Sequence, residues 1–192
     1  MAYVIGVGTM LRRQDHSRWF TDRYGVEGGY LRFRRIASTI MNLDAVLFVV
    51  VCILSRGTLG TPWPVALRIS IGLVAIVVGA GIKLWARHAL GPEAYYWRNF
   101  FSPEDHRVGT PSGPYKYLDN PMYTIGYLQT FGLALAFDSA PALVLAAFMQ
   151  IAVLIFYRVV ERPHFVEISK KGQPPDEADE TNMTTKQARK TL

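Results

Sequence analysis

The sequence offers one cysteine in 192 residues, Cys52, so it holds no intrachain disulfide framework and no thiolate metal cluster. Its four histidines, His16, His88, His106 and His164, are scattered without ligand spacing, which argues against a zinc site and predicts no metal. Charge is also scarce. Asp, Glu, Lys and Arg make up 19% of the chain, against roughly a quarter in soluble domains. Gly79 and Gly81 form no phosphate loop and read instead as small residues for close helix contact. No internal repeat is visible.

What is present is apolar, 50% of the residues, and it is gathered into runs. Ile36 to Leu54 and Pro64 to Leu84 are each close to the 20 or so helical residues that cross a bilayer. Met122 to Phe137 and Ala140 to Tyr157 are shorter, and only the turn around Asp138-Ser139-Ala140-Pro141 separates them. The pattern predicts an all-α, polytopic membrane bundle of about four spans, the last two a tight helical hairpin. Asp44 falls inside the first span, where an ionisable residue needs a reason; a pairing with Arg68 and a place at the membrane edge both remain open.

The net charge of +6 would suit nucleic acid, but the basic residues are arranged by topology. Seven lie in residues 1–35, four lie between the second and third spans (Arg87, Arg98, Arg107, Lys116), and seven lie from Arg158 onward. The loop between the first two spans holds only Arg56, and the hairpin turn holds none. The positive-inside rule then predicts both termini and the central segment in the cytoplasm, in a bacterial inner membrane or an equivalent internal membrane, with no nucleic-acid partner. The opening run Ala2 to Leu11 precedes its arginines, unlike a cleavable signal peptide. Residues 1–35 mix Arg with Trp19, Phe20, Tyr24, Tyr30 and Phe33, a composition for the headgroup layer. Residues 36–165 form the transmembrane core, and 166–192 read as a polar, disordered tail.

Chemistry concentrates in three places: the central segment with His106-Arg107-Val108, the run Gly113-Pro114-Tyr115-Lys116-Tyr117-Leu118-Asp119-Asn120-Pro121-Met122-Tyr123, and Glu161-Arg162-Pro163 after the fourth span. Gly113-Pro114 and Asn120-Pro121 are turn signals. A polar, aromatic, turn-rich segment against a membrane face is where a ligand site is expected.

In these residues, over about 79–165, the chain resembles the membrane-embedded methyltransferases of the phospholipid and isoprenylcysteine type. Asn120 before the proline is more similar to the phosphatidylethanolamine N-methyltransferase branch. The resemblance implies S-adenosylmethionine in a pocket under the cytoplasmic face and a membrane lipid as acceptor. It implies cofactor contacts at His106, Val108, Gly113, Tyr115, Tyr117, Asn120, Pro121 and Glu161, with Glu161 and Tyr123 as the catalytic candidates. The family's arginine is Asp119 here, and the second glutamate of its Glu-Glu-Pro is Arg162. These two changes are opposite in sign and predict a reversed ion pair. Losing the arginine also removes a clamp for a substrate carboxylate, which favours an amine acceptor. Three other readings are an isoprenylcysteine-type carboxyl methyltransferase, an NADPH-dependent membrane reductase of the sterol reductase type, and a non-catalytic membrane protein.

Overall fold

The computed structural model describes residues 3–102 and 112–171. Every regular element among them is helical. A π turn, Tyr3–Val7, runs into α1 (Gly8–Ser17), followed by α2 (Trp19–Leu54), α3 (Val65–Tyr95), α4 (Leu128–Ala136), α5 (Ala140–Phe156) and α6 (Arg162–Lys171). At 1.5 Å per residue, the 36 residues of α2 reach roughly 54 Å, well beyond the roughly 30 Å hydrocarbon core. The excess is the basic, aromatic stretch ahead of Ile36. That stretch is itself broken at Gly25, whose φ of 72° suits a residue without Cβ.

Among the described residues three helices are long and apolar enough to cross a membrane, and large apolar side chains such as Leu47, Leu73 and Ile151 stand half-exposed on their outer faces. A water-facing surface would not keep so many. The expected third span is shorter than the sequence implies. Asn120, Pro121 and the residues after them are taken up in a turn, helix begins as a 3-10 turn at Ile125–Tyr127, and Ile125–Ala136 is too short to cross alone. It is supported by α3. Gly72 and Gly132 face one another so closely that a Cβ on Gly72 would lie 2.8 Å from the Gly132 carbonyl oxygen, and Gly79 packs on the backbone at Gln129. Gly81 has open space around it.

The hairpin turn folds as the sequence implies. Ser139 caps α5, its hydroxyl accepting from the Ala142 N–H at 3.1 Å, with Pro141 in the first turn. Asp138 takes φ 58° and forms a 2.9 Å ion pair with Arg68; both side chains are about nine-tenths buried. Arg68 is therefore the partner of Asp138, not of Asp44, which accepts a hydrogen bond from the Tyr3 backbone N–H at 3.1 Å. One core, built on Phe48, Cys52, Ala134, Ala142 and Ala146, fills this end. The other, aromatic, joins Phe20, Tyr30, Phe33, Trp97, Phe101 and Phe156 at the opposite end, beside the site.

Candidate active site

Glu161 closes a π turn, Tyr157–Glu161, inserted between α5 and α6. Such a turn re-aims one residue of an otherwise regular helix and recurs at functional positions. It turns Glu161 inward, 6% exposed. Two donors meet on the same oxygen: the Trp97 indole N–H and the Tyr123 hydroxyl each reach Oε1 at 2.7 Å. Among the described residues no cation forms an ion pair with this carboxylate, and Oε2 takes no hydrogen bond.

Each donor is positioned by its local sequence. Gly91, at φ 77°, and Pro92 break α3 near its end, and the chain then turns through Trp97 at φ 55°. A bulky residue with positive φ is strained, and the surrounding packing holds it there. Its ring packs against Tyr3, Phe33 and Phe156. Tyr123 is aimed by the Asn120-Pro121 turn: buried Asn120 accepts the Tyr123 backbone N–H on Oδ1 at 3.1 Å, and buried Pro121 accepts from the Gly126 N–H at 2.9 Å. Asn120 thus fixes the backbone from which Tyr123 reaches the acid.

The amino-terminal turn lies over this cluster. The Tyr3 hydroxyl stands 3.4 Å from that of Tyr123, and its ring packs on Trp97 and Phe156. Tyr115 lies close enough to feel the Glu161 carboxylate; burial first, and Glu161 second, push its phenol well above the ordinary tyrosine value, so it stays a donor. Gly113 sits at φ 56° against α3, where a Cβ would be 2.8 Å from that of Ala89 and 3.1 Å from the Trp85 indole nitrogen. Tyr117 is 78% exposed. His106 and Val108, like the tail from residue 172, lie outside the described residues.

The expected ion pair between Asp119 and Arg162 is not formed. Both side chains are exposed, and both act electrostatically on Tyr157 without meeting one another. Water solvates each of them, and an exposed pair gains too little to hold two flexible side chains together. His164 is buried. It stacks on Phe100 at 3.6 Å, and its Nδ1 is 2.7 Å from Asp15, tying α6 to α1.

Sequence reasoning overlooked Trp97, Tyr3 and the His164–Asp15 contact. The Gly91-Pro92 break followed by Tyr95-Tyr96-Trp97 is a local signal that could have drawn attention to Trp97. Nothing local marks Tyr3, whose partner Tyr123 is 120 residues away.

The apolar helices define a polytopic membrane protein, with one buried acid held by an indole and a phenol at one end of its bundle. The chain belongs to the phospholipid methyltransferase family, whose model matches residues 67–171. It is similar to the phosphatidylethanolamine N-methyltransferase of Pyricularia oryzae, 34% identical over 149 residues, which is 76% of this chain and 15% of that protein. The enzyme of the same name from Clavispora lusitaniae is 31% identical over 77% of this chain and 18% of its own length. That of Neosartorya fischeri is 32% identical over 76% and 15%. The chain thus spans less than a fifth of the length of these relatives. They are fungal, and they lend no support to the bacterial inner membrane among the settings the charge pattern left open. No solved structure matches the chain.

Proposed function

We propose that the chain transfers a methyl group from S-adenosylmethionine to the amine of a membrane phospholipid, at the cytoplasmic face, with both termini on that side. The observation that carries the reading is Glu161: a buried carboxylate with two donors on one oxygen and, among the described residues, no cation paired with it. A site of that kind suits a positively charged ligand, and both the methyl donor and the acceptor amine carry positive charge.

The methyl donor, when bound, supplies a sulfonium carbon open to in-line displacement. His106, Val108, Gly113, Tyr115, Tyr117, Asn120 and Pro121 are the proposed holding residues, together with Glu161. Gly113 fits that use because its backbone is seated where no side chain has room. The work of the protein is mainly alignment, which can supply several kcal/mol of a displacement barrier, about 7 or more when geometry is ideal. Trp97 and Tyr123 fix Oε1, which leaves Oε2 to accept the proton that an ammonium must lose before its nitrogen can attack. The ring faces of Tyr115 and Tyr123 offer cation–π contact to the charge on nitrogen after transfer. The lipid reaches the site sideways from the bilayer.

The test is incubation of reconstituted protein with labelled methyl donor and identification of the labelled lipid. Glu161→Gln should lower the initial rate at least about a hundredfold, the contribution typical of a positioned acid or base. S-adenosylhomocysteine should raise the thermal midpoint through ligand linkage, and NADP should not. A Glu161→Gln variant with the wild-type rate would remove this reading, and stabilisation by NADP alone would favour a reductase.

A further inference from the structure

Beside the amino-terminal helix, away from Glu161, lies a groove of about 790 Å³ between α1 and the first part of α2. Its floor is apolar, with Ile5, Met10, Phe20 and Ile36, and its rim carries Arg13, Arg32 and Arg35. No acidic residue lines it, and among the described residues none of these three arginines is in an ion pair. Arg32 lies flat over the Tyr24 ring, its Cζ 3.8 Å from the centroid. A stacked guanidinium is held in place while its edge donors stay free for an anion. Arg35 directly precedes the apolar stretch of α2 that begins at Ile36, so this rim stands at headgroup depth.

We propose that this groove binds a net-anionic phospholipid, with the phosphate held by Arg13, Arg32 and Arg35 and acyl chain along Ile5, Met10 and Ile36. Three arginines lining one groove without a carboxylate leave an excess of positive charge, which a phosphate of a net-negative lipid offsets. A zwitterionic lipid fits less well, because no acid in the groove receives its ammonium. The groove is therefore separate from the acceptor site, where an acid is present. The bound lipid bridges α1 to α2 and steadies the helix whose preceding turn covers Glu161. The proposal rests on the membrane setting and not on methyl transfer, so either can fail alone.

The experiment uses the full chain in mixed micelles of phosphatidylcholine with phosphatidylglycerol or phosphatidylethanolamine, and native mass spectrometry counts the retained lipid. Wild type should retain phosphatidylglycerol in preference to both zwitterionic lipids, and added salt should weaken that preference. Arg32→Ala and Arg35→Ala should each reduce it about fivefold, the value of one arginine near a charged lipid surface. Arg56→Ala, in the loop at the other end of α2, should keep it. Arg32→Lys with Arg35→Lys keeps the charge and should keep part of the preference if the alanine variants fail to fold. Equal retention of the three lipids by wild type overturns the proposal, as does a preference that survives loss of both arginines. Enrichment of phosphatidylethanolamine that is lost in the same variants also overturns it and makes the groove an acceptor seat. Stabilisation by S-adenosylhomocysteine should be unchanged in every variant, which keeps this outcome apart from that of the methyl-transfer reading.

Discussion

Removing the Tyr123 hydroxyl probes the site with least disturbance, because phenylalanine keeps the ring and its contact with Tyr157. The hydroxyl donates to Glu161 Oε1 at 2.7 Å and also lies 3.4 Å from the Tyr3 hydroxyl. The first is a short bond to a carboxylate, of a kind that contributes about 1.5–3 kcal/mol, so Tyr123→Phe should slow methyl transfer roughly ten- to hundredfold. The second is long and joins two neutral phenols, worth about 0.5 kcal/mol, so Tyr3→Phe should cost roughly twofold. Trp97→Phe removes the other donor on the same oxygen and should resemble Tyr123→Phe. With both donors gone the carboxylate turns freely, and the double variant should lose less than the product of the two single losses, because the first loss already frees the rotation. Initial rates with labelled donor in reconstituted membranes, read beside thermal midpoints, measure all four. If Tyr3→Phe proves the costlier change, or if Tyr123→Phe keeps the wild-type rate, then Oε1 is not the anchor that the geometry makes it.

Three further outcomes follow from contacts elsewhere. Tyr115 has its phenol pushed above the ordinary value of 10.0 by burial, so the unfolded chain ionises first as pH rises and stability falls above about 10. Tyr115→Phe should flatten that alkaline loss in a pH series of thermal midpoints, and an unchanged slope refutes it. Asp15→Ala leaves the buried His164 with neither ring nitrogen bonded, because Nε2 already lacks a partner, whereas His164→Phe leaves only a partly exposed Asp15 that water can solvate. Asp15→Ala should therefore be the more destabilising, by about 1–3 kcal/mol, and the reverse order in a denaturation assay sinks the argument. Asp138→Ala strands the buried Arg68 and should cost roughly 3 kcal/mol, seen as a lower thermal midpoint, while S-adenosylhomocysteine still stabilises whatever protein folds, since that pair lies at the far end of the bundle.

The features that could be read from the chain are those encoded within a few residues. The apolar runs define the long helices, Ser139 and Pro141 mark the start of α5, and Asn120-Pro121 marks the turn that aims Tyr123. The third apolar helix begins at Ile125 and not at Met122: hydropathy counts Met122 and Tyr123 as membrane residues, whereas the backbone there is spent on the Asn120 turn. A pattern in one segment also cannot show which distant segment it meets. Asp119 and Arg162 looked paired by sign, yet both are solvated, while the acid that does matter is held by Trp97, 64 residues earlier, and Tyr123, 38 residues earlier.

These distant contacts divide the molecule into two ends with different tasks. At the hairpin end, Arg68–Asp138, the Ser55–Ser139 hydroxyl contact at 2.6 Å and the Gly72–Gly132 approach fix α2, α3, α4 and α5 to one another. Backbones in close contact leave little room for movement, so this end is the rigid base. At the other end, helices break at Gly25 and Gly91, Trp97 is strained, and α5 passes into α6 through a π turn. Each irregularity moves one side chain to a place a straight helix would not put it. Together they bring Trp97 and Tyr123 from separate segments onto one carboxylate oxygen of Glu161, with Tyr3 behind Tyr123. A regular bundle would bury that acid against hydrocarbon at a cost of several kcal/mol, about what an unsatisfied charge demands. The irregular end offsets part of that cost by supplying two donors, and it does so only because the base holds the helices that carry them in register.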